Sequence, residues 1–341
     1  MTKRIFALLA ALLCFSTASR AEVIELKSNK IIQGKVVDSD AERIRVDVGG
    51  GTIVTFYQDE IRRIDYQDTE VKHGHAFLWK ATSAETTVYL FGSIHLGRSD
   101  MYPLADPVEK AFQSATVLVV EVDIDREDPL VAQKKISAMG TYGAGDRLEN
   151  HISAETRKKL RDRLSKYGIG TEQFSPLKPW FAALSLTMVQ IRALGFEAEY
   201  GVDPYFLRRA RGEKEIRELE TFDQQLSFLD GLENQDNFLA YTLDSLSETE
   251  TMLDQLISSW REGDAALMEK IMITDILTEA PQTRPIFQRI LFDRNVRMAE
   301  QIKEFLNTDR TYFVVVGAAH LVGPQGIVEL LKKKGYDVEQ L

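Results

Sequence analysis

Two histidines stand in the same short setting. The apolar run Val88-Tyr89-Leu90-Phe91 enters Gly92-Ser93-Ile94-His95, and Tyr312-Phe313-Val314-Val315-Val316 enters Gly317-Ala318-Ala319-His320. Each is a strand-like segment followed by a G-x-x-H turn. Glycine there lets the backbone turn sharply and a ligand approach closely, and in open α/β sheets ligands bind beyond the carboxyl ends of the strands. One histidine in such a place is usually structural; two in matching slots point to a shared site. Imidazole is the commonest metal ligand and also suits proton transfer near neutral pH. Glu121 ends the apolar run Val117-Leu118-Val119-Val120, so its carboxylate emerges at the same edge. It serves there as a metal ligand or as a general base toward water. Asp123, two residues on, is placed as a supporting partner. Two histidines and a carboxylate match open three-ligand sites, which leave a position for water. This chemistry points to metal-assisted hydrolysis. His73 and His75 read as surface residues of a linker, and His151 as an isolated polar residue.

The single cysteine, Cys14, lies in a segment that reads as a leader. Lys3 and Arg4 precede an apolar run over 5–15, and Ser19-Arg20-Ala21 before Glu22 fits a small-x-small cleavage site. The run is short for a bilayer span, which takes roughly 20 residues. An uncleaved anchor and a lipidated Cys14 are the alternatives, but Ala11-Leu12-Leu13 lacks the small residue that lipidation requires. Residues 1–21 are therefore expected to be a signal peptide, leaving a periplasmic or secreted product with no membrane span. Its loss removes Lys3, Arg4 and Arg20 and no acid, moving the net charge from -10 to -13. A thiol-free product excludes disulfides, thiolate ligands and cysteine nucleophiles. Manganese, cobalt, zinc and iron remain as cofactors, and ligand softness does not choose among them. An acidic chain with no basic cluster argues against a nucleic-acid partner.

The elements that must position these residues divide the chain. Short alternating segments over 23–26, 31–37, 43–48, 52–56 and 61–64 make residues 22–66 a small antiparallel β-barrel, which resembles the Sm-like barrels of bacterial envelope proteins. It is either a docking module or a solubilising cap. Residues 67–76 form a polar linker, and 77–341 an α/β domain. A hairpin opens that domain, a helix covers 107–113, and Val117 to Val120 reads as a strand covered on both faces. The stretch 127–306 is a helical insert with helices over 154–167, 179–194, 204–211, 236–260 and 284–306. It separates two related strand–GxxH–helix–strand units, 88–122 and 312–338, which bring His95 and His320 together.

A set of ordered motifs then carries a family resemblance. Phe77-Leu78-Trp79, the run through Gly92 and His95 to Leu96-Gly97, and Val119-Val120-Glu121-Val122-Asp123 come first. Gly201-Val202-Asp203, Leu219-Glu220-Thr221, Trp260 with Gly263-Asp264, Arg294-Asn295 and Val316-Gly317-Ala318-Ala319-His320-Leu321-Val322-Gly323 follow. Residues 75–341 resemble the TraB/GumN family, relatives of the Tiki metalloproteases. The resemblance implies two related βα units around a pocket with both histidines, the acidic residue and an arginine. It implies metal-dependent peptide-bond cleavage for the Tiki branch and mostly unknown substrates for bacterial members. Carried onto this chain, it gives His95, Glu121 and His320 as ligands, with Glu121 and Arg294 as catalytic groups. The cation of Arg294 can steady an oxyanion. Asp203, Glu220 and Asn295 follow as pocket or supporting residues.

Three functions compete. The first is an exported metal-dependent hydrolase, a peptidase, acting on a peptide or small-molecule substrate. The second is a non-catalytic periplasmic protein binding metal, haem or another ligand at the same histidines. The third is an interaction protein whose N-terminal barrel recruits an envelope partner.

Overall fold

A computed structural model of the chain describes residues 20–27, 30–39, 43–48, 52–57, 60–65, 75–84 and 86–341. The expected leader up to residue 19, His73 and most of the expected linker lie outside the described residues. Strands β1 (Arg20–Leu26), β2 (Ile31–Ser39), β3 (Arg43–Asp47), β4 (Ile53–Tyr57) and β5 (Ile61–Asp65) form an antiparallel sheet in the order β4-β3-β2-β1-β5. Alternation turns Ile44, Val46 and Phe56 into a small apolar core, with Leu26, Ile32 and Val54 packed against it. Pairing of Arg20 with Val36 starts β1 inside the last residues of the expected leader. Among the described residues no β4–β5 pair closes this sheet.

The second sheet has six strands. Strands β6 (Leu78–Thr82) and β7 (Thr87–Ser93) form the opening hairpin, and β8 (Val117–Val120), β9 (Glu215–Glu218), β10 (Tyr312–Gly317) and β11 (Asp337–Gln340) complete the order β11-β6-β7-β10-β8-β9. From β7 to β9 neighbours run parallel, while β6 is antiparallel to β7 and β11. Every residue of β8 and β10 is buried, as continuous Val-rich runs covered on both faces require. The two halves of the chain interleave rather than lie side by side, because β10 inserts between β7 and β8.

Helix α1 (Asp106–Ser114) links β7 to β8. Between β8 and β9 come α2 (Pro129–Gly140), α3 (Ala154–Lys166), α4 (Pro179–Ala193) and α5 (Val202–Ala210). After β9 come α6 (Phe222–Asp230), α7 (Gln235–Ser245), α8 (Thr249–Arg261), α9 (Ala265–Glu269) and α10 (Asp275–Glu279). Helices α11 (Arg284–Phe287) and α12 (Asp293–Phe305) precede β10, and α13 (Ala318–Leu321) and α14 (Ile327–Lys333) precede β11. The expected insert over 127–306 is thus not wholly helical: β9 lies within it and pairs with β8 from Val117–Glu215 to Val120–Glu218. The expected helix 236–260 breaks at a 3₁₀ turn, Leu246–Glu248. Ser245 Oγ donates to the Tyr241 carbonyl at 2.8 Å just before the break, a back-bond that bends helices. Among the described residues no helix is long and apolar enough to cross a membrane.

Candidate active site

Three adjacent parallel strands end at one edge. Neighbouring strands lie about 4.8 Å apart, so groups leaving the ends of β7, β10 and β8 fall within reach of one another. His95 follows β7, His320 sits on α13 directly after β10, and Glu121 follows β8. Nε2 of His95 lies 3.8 Å from Glu121 Oε1, and Nε2 of His320 lies 3.7 Å from the same oxygen. The two turns differ locally. Gly92 is inside β7 opposite Val316, whereas Gly317 ends β10 opposite Ser93, and His320 is helical while His95 is in an open turn.

Each imidazole is held by its other nitrogen. His95 Nδ1 lies 2.6 Å from Oδ2 of Asp203, in the first turn of α5. The segment before α5 is stapled to the histidine turn: Val202 N–H donates to the Ile94 carbonyl at 3.0 Å, and Gly97 and Glu197 exchange backbone bonds. Gly201 permits this approach, since a Cβ there would collide with the His95 carbonyl. His320 Nδ1 lies 2.5 Å from Asn295 Oδ1. Asn295 Nδ2 donates to the Gln325 carbonyl at 2.8 Å, which leaves Oδ1 as the acceptor. His320 therefore carries its proton on Nδ1 and directs a lone pair from Nε2. Trp260 Nε1 donates to the Gly92 carbonyl at 2.6 Å and ties α8 to the end of β7.

Glu121 is enclosed by donors. Its Oε1 accepts from Gly317 N–H at 2.6 Å, and its Oε2 from Arg294 Nη2 at 2.5 Å and Gln225 Nε2 at 3.1 Å. The β8–β9 register continues past the strands, with Glu220 N–H donating to the Glu121 carbonyl at 2.9 Å. This brings a second buried carboxylate alongside, and Arg294 bridges the two: Nε contacts both Glu220 oxygens at 3.0 Å, and Nη2 lies 2.7 Å from Oε2. A π-helical turn, Gln288–Phe292, precedes α12, and its Ile290 carbonyl accepts from Arg294 Nη1 at 2.9 Å. The arginine expected as a cation facing substrate is thus largely committed to Glu121 and Glu220.

Burial and charge set the two histidines apart. Burial alone favours neutral His95, but Asp203 and Glu121 outweigh it and raise its pKa to about 9. For His320 burial dominates, Arg294 and His95 reinforce it, and the pKa falls to about 3 despite Glu121. Burial opposes the charge on Glu121, but His320, Arg294, His95 and the Gly317 N–H hold its carboxyl well below the usual range.

The site faces a cavity of about 980 Å³ whose lining includes His95, Glu121, Asp203, Arg294 and His320. Asp123 departs from expectation: it is buried against Arg211, which donates to both of its carboxylate oxygens, and it does not line the cavity. His75 is exposed, and His151 pairs with Asp146 at 2.8 Å and stacks on Tyr142. Gln225 was missed in the sequence reading. Thr221 and Gln224 form a capping box that starts α6, and this readable signal puts Gln225 in the first helical turn.

Donor chemistry at the site fits a divalent cation. Both imidazoles have Nδ1 occupied and Nε2 turned toward one carboxylate oxygen, as metal-ligating histidines usually do. A Cβ built on Gly317 would sit 3.0 Å from His95 Nε2, 3.3 Å from Glu121 Oε1 and 3.5 Å from His320 Cδ2, so the glycine leaves a small cradle among the three. As they stand, no three His, Cys, Asp or Glu side chains among the described residues close into a metal-holding group.

Comparison with known proteins gives a family match over residues 77–340, to the TraB/PrgY/gumN family. The uncharacterized protein YbaP of Escherichia coli (strain K12) is 28% identical over 267 residues, covering 76% of this chain and 94% of that protein. A metalloprotease TIKI homolog of Nematostella vectensis is 25% identical, covering 80% of this chain and 68% of the homolog. Metalloprotease TIKI1 of Xenopus tropicalis is 23% identical, covering 77% of this chain and 61% of its own length. No solved structure gives a significant match. The chain belongs to the TraB/PrgY/gumN family.

Proposed function

We propose that this TraB/PrgY/gumN family member is an exported, metal-dependent hydrolase that cleaves peptide bonds at His95, Glu121 and His320. The observation that carries the reading is the convergence of both histidine Nε2 atoms on Glu121 Oε1. The relatives described as TIKI metalloproteases supply the reaction class. The two Nε2 atoms and Glu121 would hold a manganese, cobalt, zinc or iron ion, which when bound would supply Lewis acidity and lower the pKa of water. The chain's own groups do the rest. Asp203 and Asn295 fix the imidazole planes. Arg294 and Gln225 satisfy Glu121 Oε2, so that Oε1, which accepts the Gly317 N–H, keeps a lone pair to ligate or to take a proton. One N–H of Arg294 Nη1 is left over from the bonds described above and is available to a developing oxyanion.

Elemental analysis of the purified protein and a peptide-library digest with each ion test this reading. Metal content and ion-dependent cleavage that both vanish in His95→Ala/His320→Ala are expected. Full activity in that double variant, with no activation by any ion, would refute it.

A second reading, binding of a metal, haem or small ligand without turnover, draws on the Glu121 contacts, since both carboxylate oxygens already have N–H partners. Saturable binding with no cleavage would support it. We further propose that residues 1–21 direct the chain to the periplasm or outside the cell. Residues 22–66 are proposed as an Sm-like barrel that docks an envelope partner. Cell fractionation, and pull-downs with and without residues 22–66, test those two points.

A further inference from the structure

We propose that the cavity wall made by α2 and α6 is an apolar subsite that selects peptides by a bulky apolar side chain beside the bond presented to Glu121. The inference rests on the peptidase reading above. Immediately after Glu121 the chain enters a small apolar cluster separate from the main core, comprising Val122, Ile136, Phe222 and Leu226, with Ala132 and Phe181 packed on it. Met139 packs on it as well, and all of these except Leu226 and Met139 also line the cavity. The cluster therefore begins one residue from the proposed reacting carboxylate and forms a wall of the space in front of it. Helix α2 turns Ala132, Gln133 and Ile136 toward the cavity at helical spacing.

The apolar wall continues to the lip. Leu130 is 67% exposed and Ile124 is 52% exposed, and both line the cavity. Single exposed apolar residues need no explanation, but two on the rim of a cavity with a largely apolar wall mark a ligand surface. Asp125 and Glu127 also line the cavity but are paired, Asp125 with Arg211 and Glu127 with Lys135 at 3.2 Å, and Asp123 is buried against Arg211. A charged substrate side chain on this wall would meet little to compensate its desolvation. Gln133 and Ser137 share the α2 face and can pair with peptide amides. An acyl chain would leave them unpaired, which favours a peptide over a lipid.

The test uses the full-length protein and two dye-labelled peptides, N-acetylated and C-amidated, that differ only by Leu or Asp at the centre. Binding is read by fluorescence anisotropy with a chelator present, and cleavage separately with added ions. Burial of one leucine side chain implies roughly 10-fold or greater preference for the Leu peptide. Leu130→Asp and Ile124→Asp, both at exposed positions, should each erase most of that preference while the thermal unfolding midpoint stays put. Equal affinity for both peptides, or rim variants that change nothing, would overturn the subsite. So would binding of dodecanoate with no binding of either peptide. Preferential binding without cleavage under any ion leaves the subsite standing and refutes the peptidase reading. Cleavage indifferent to the central residue does the reverse, and neither binding nor cleavage overturns both.

Discussion

The backbone N–H of Gly317 donates to Glu121 Oε1 at 2.6 Å, and that same oxygen faces both imidazoles. Gly317 ends the middle strand of three, so its backbone can reach a carboxylate delivered by the neighbouring strand. The relation depends on the glycine lacking a side chain. Its φ of -50° and ψ of 136° are open to any L residue, so space rather than conformation is what a substitution would change.

Gly317→Ala is therefore expected to fold normally and to fail at the site. Its Cβ would lie 3.0 Å from His95 Nε2 and 3.3 Å from Glu121 Oε1, forcing both to give way. Displacements of this kind cost roughly 100-fold in rate. Unfolding midpoint and turnover measured side by side check this; unchanged turnover would show that the cradle is not used.

Arg294→Met should act mainly on stability. It leaves Glu121 and Glu220, both buried, without the cation that bridges them. Breaking a buried pair this way costs about 3–5 kcal/mol. Arg294→Lys keeps the charge but loses the fork that spans two carboxylates, so it should recover only part. Gln225→Leu should cost less, about 1–3 kcal/mol, as Glu121 Oε2 loses a donor at 3.1 Å and Glu220 Oε2 a longer one at 3.4 Å, while both keep Arg294. Urea unfolding of the three variants gives the ranking, and a stable Arg294→Met would break the account.

Asp203→Asn and Asn295→Ala should weaken divalent-ion binding roughly 10–100-fold, the usual effect of removing a group that orients a ligating histidine. Titration calorimetry with manganese and zinc would measure it. Wild-type affinity in both variants would show that the histidines do not act through Nε2.

Much of this site was readable because its residues sit at strand ends. The G-x-x-H turns and the Val-rich run before Glu121 marked His95, His320 and Glu121, and the structure brings those three together. Asp123 was misplaced because sequence alternation says which side a residue faces but not that Arg211, far along the chain, waits there. Strand β9 was missed because Glu215-Ile216-Arg217-Glu218 is an edge strand, solvated enough to carry charge and lacking an apolar run. The break between α7 and α8 has neither Pro nor Gly to announce it. The Glu121–Glu220 pairing arises from strand register, which no local pattern encodes; the capping box of α6 announced the helix that carries Gln225 but not the carboxylate it meets.

Protonation of the two histidines should give the metal-free protein a stability maximum close to pH 6.5. His95 has a folded pKa of about 9 against an ordinary 6.5, so its contribution is complete below 6.5 and is lost as pH rises through 9. His320 has a folded pKa of about 3, so its contribution is present above 6.5 and is lost as pH falls toward 3. Glu121, held below its usual range, adds to the loss below about pH 4.5. Urea midpoints from pH 5 to 9 with a chelator present should fall on both sides of the maximum. His95→Gln should flatten the alkaline limb, and His320→Gln the acidic limb. Metal binding runs against the first effect, because an ion must displace the proton from His95 Nε2. Affinity should then climb with pH up to about 9 in the wild-type protein. A profile that is flat from pH 5 to 9, or one that neither substitution alters, would show that the opposed protonation states of the two histidines are wrong.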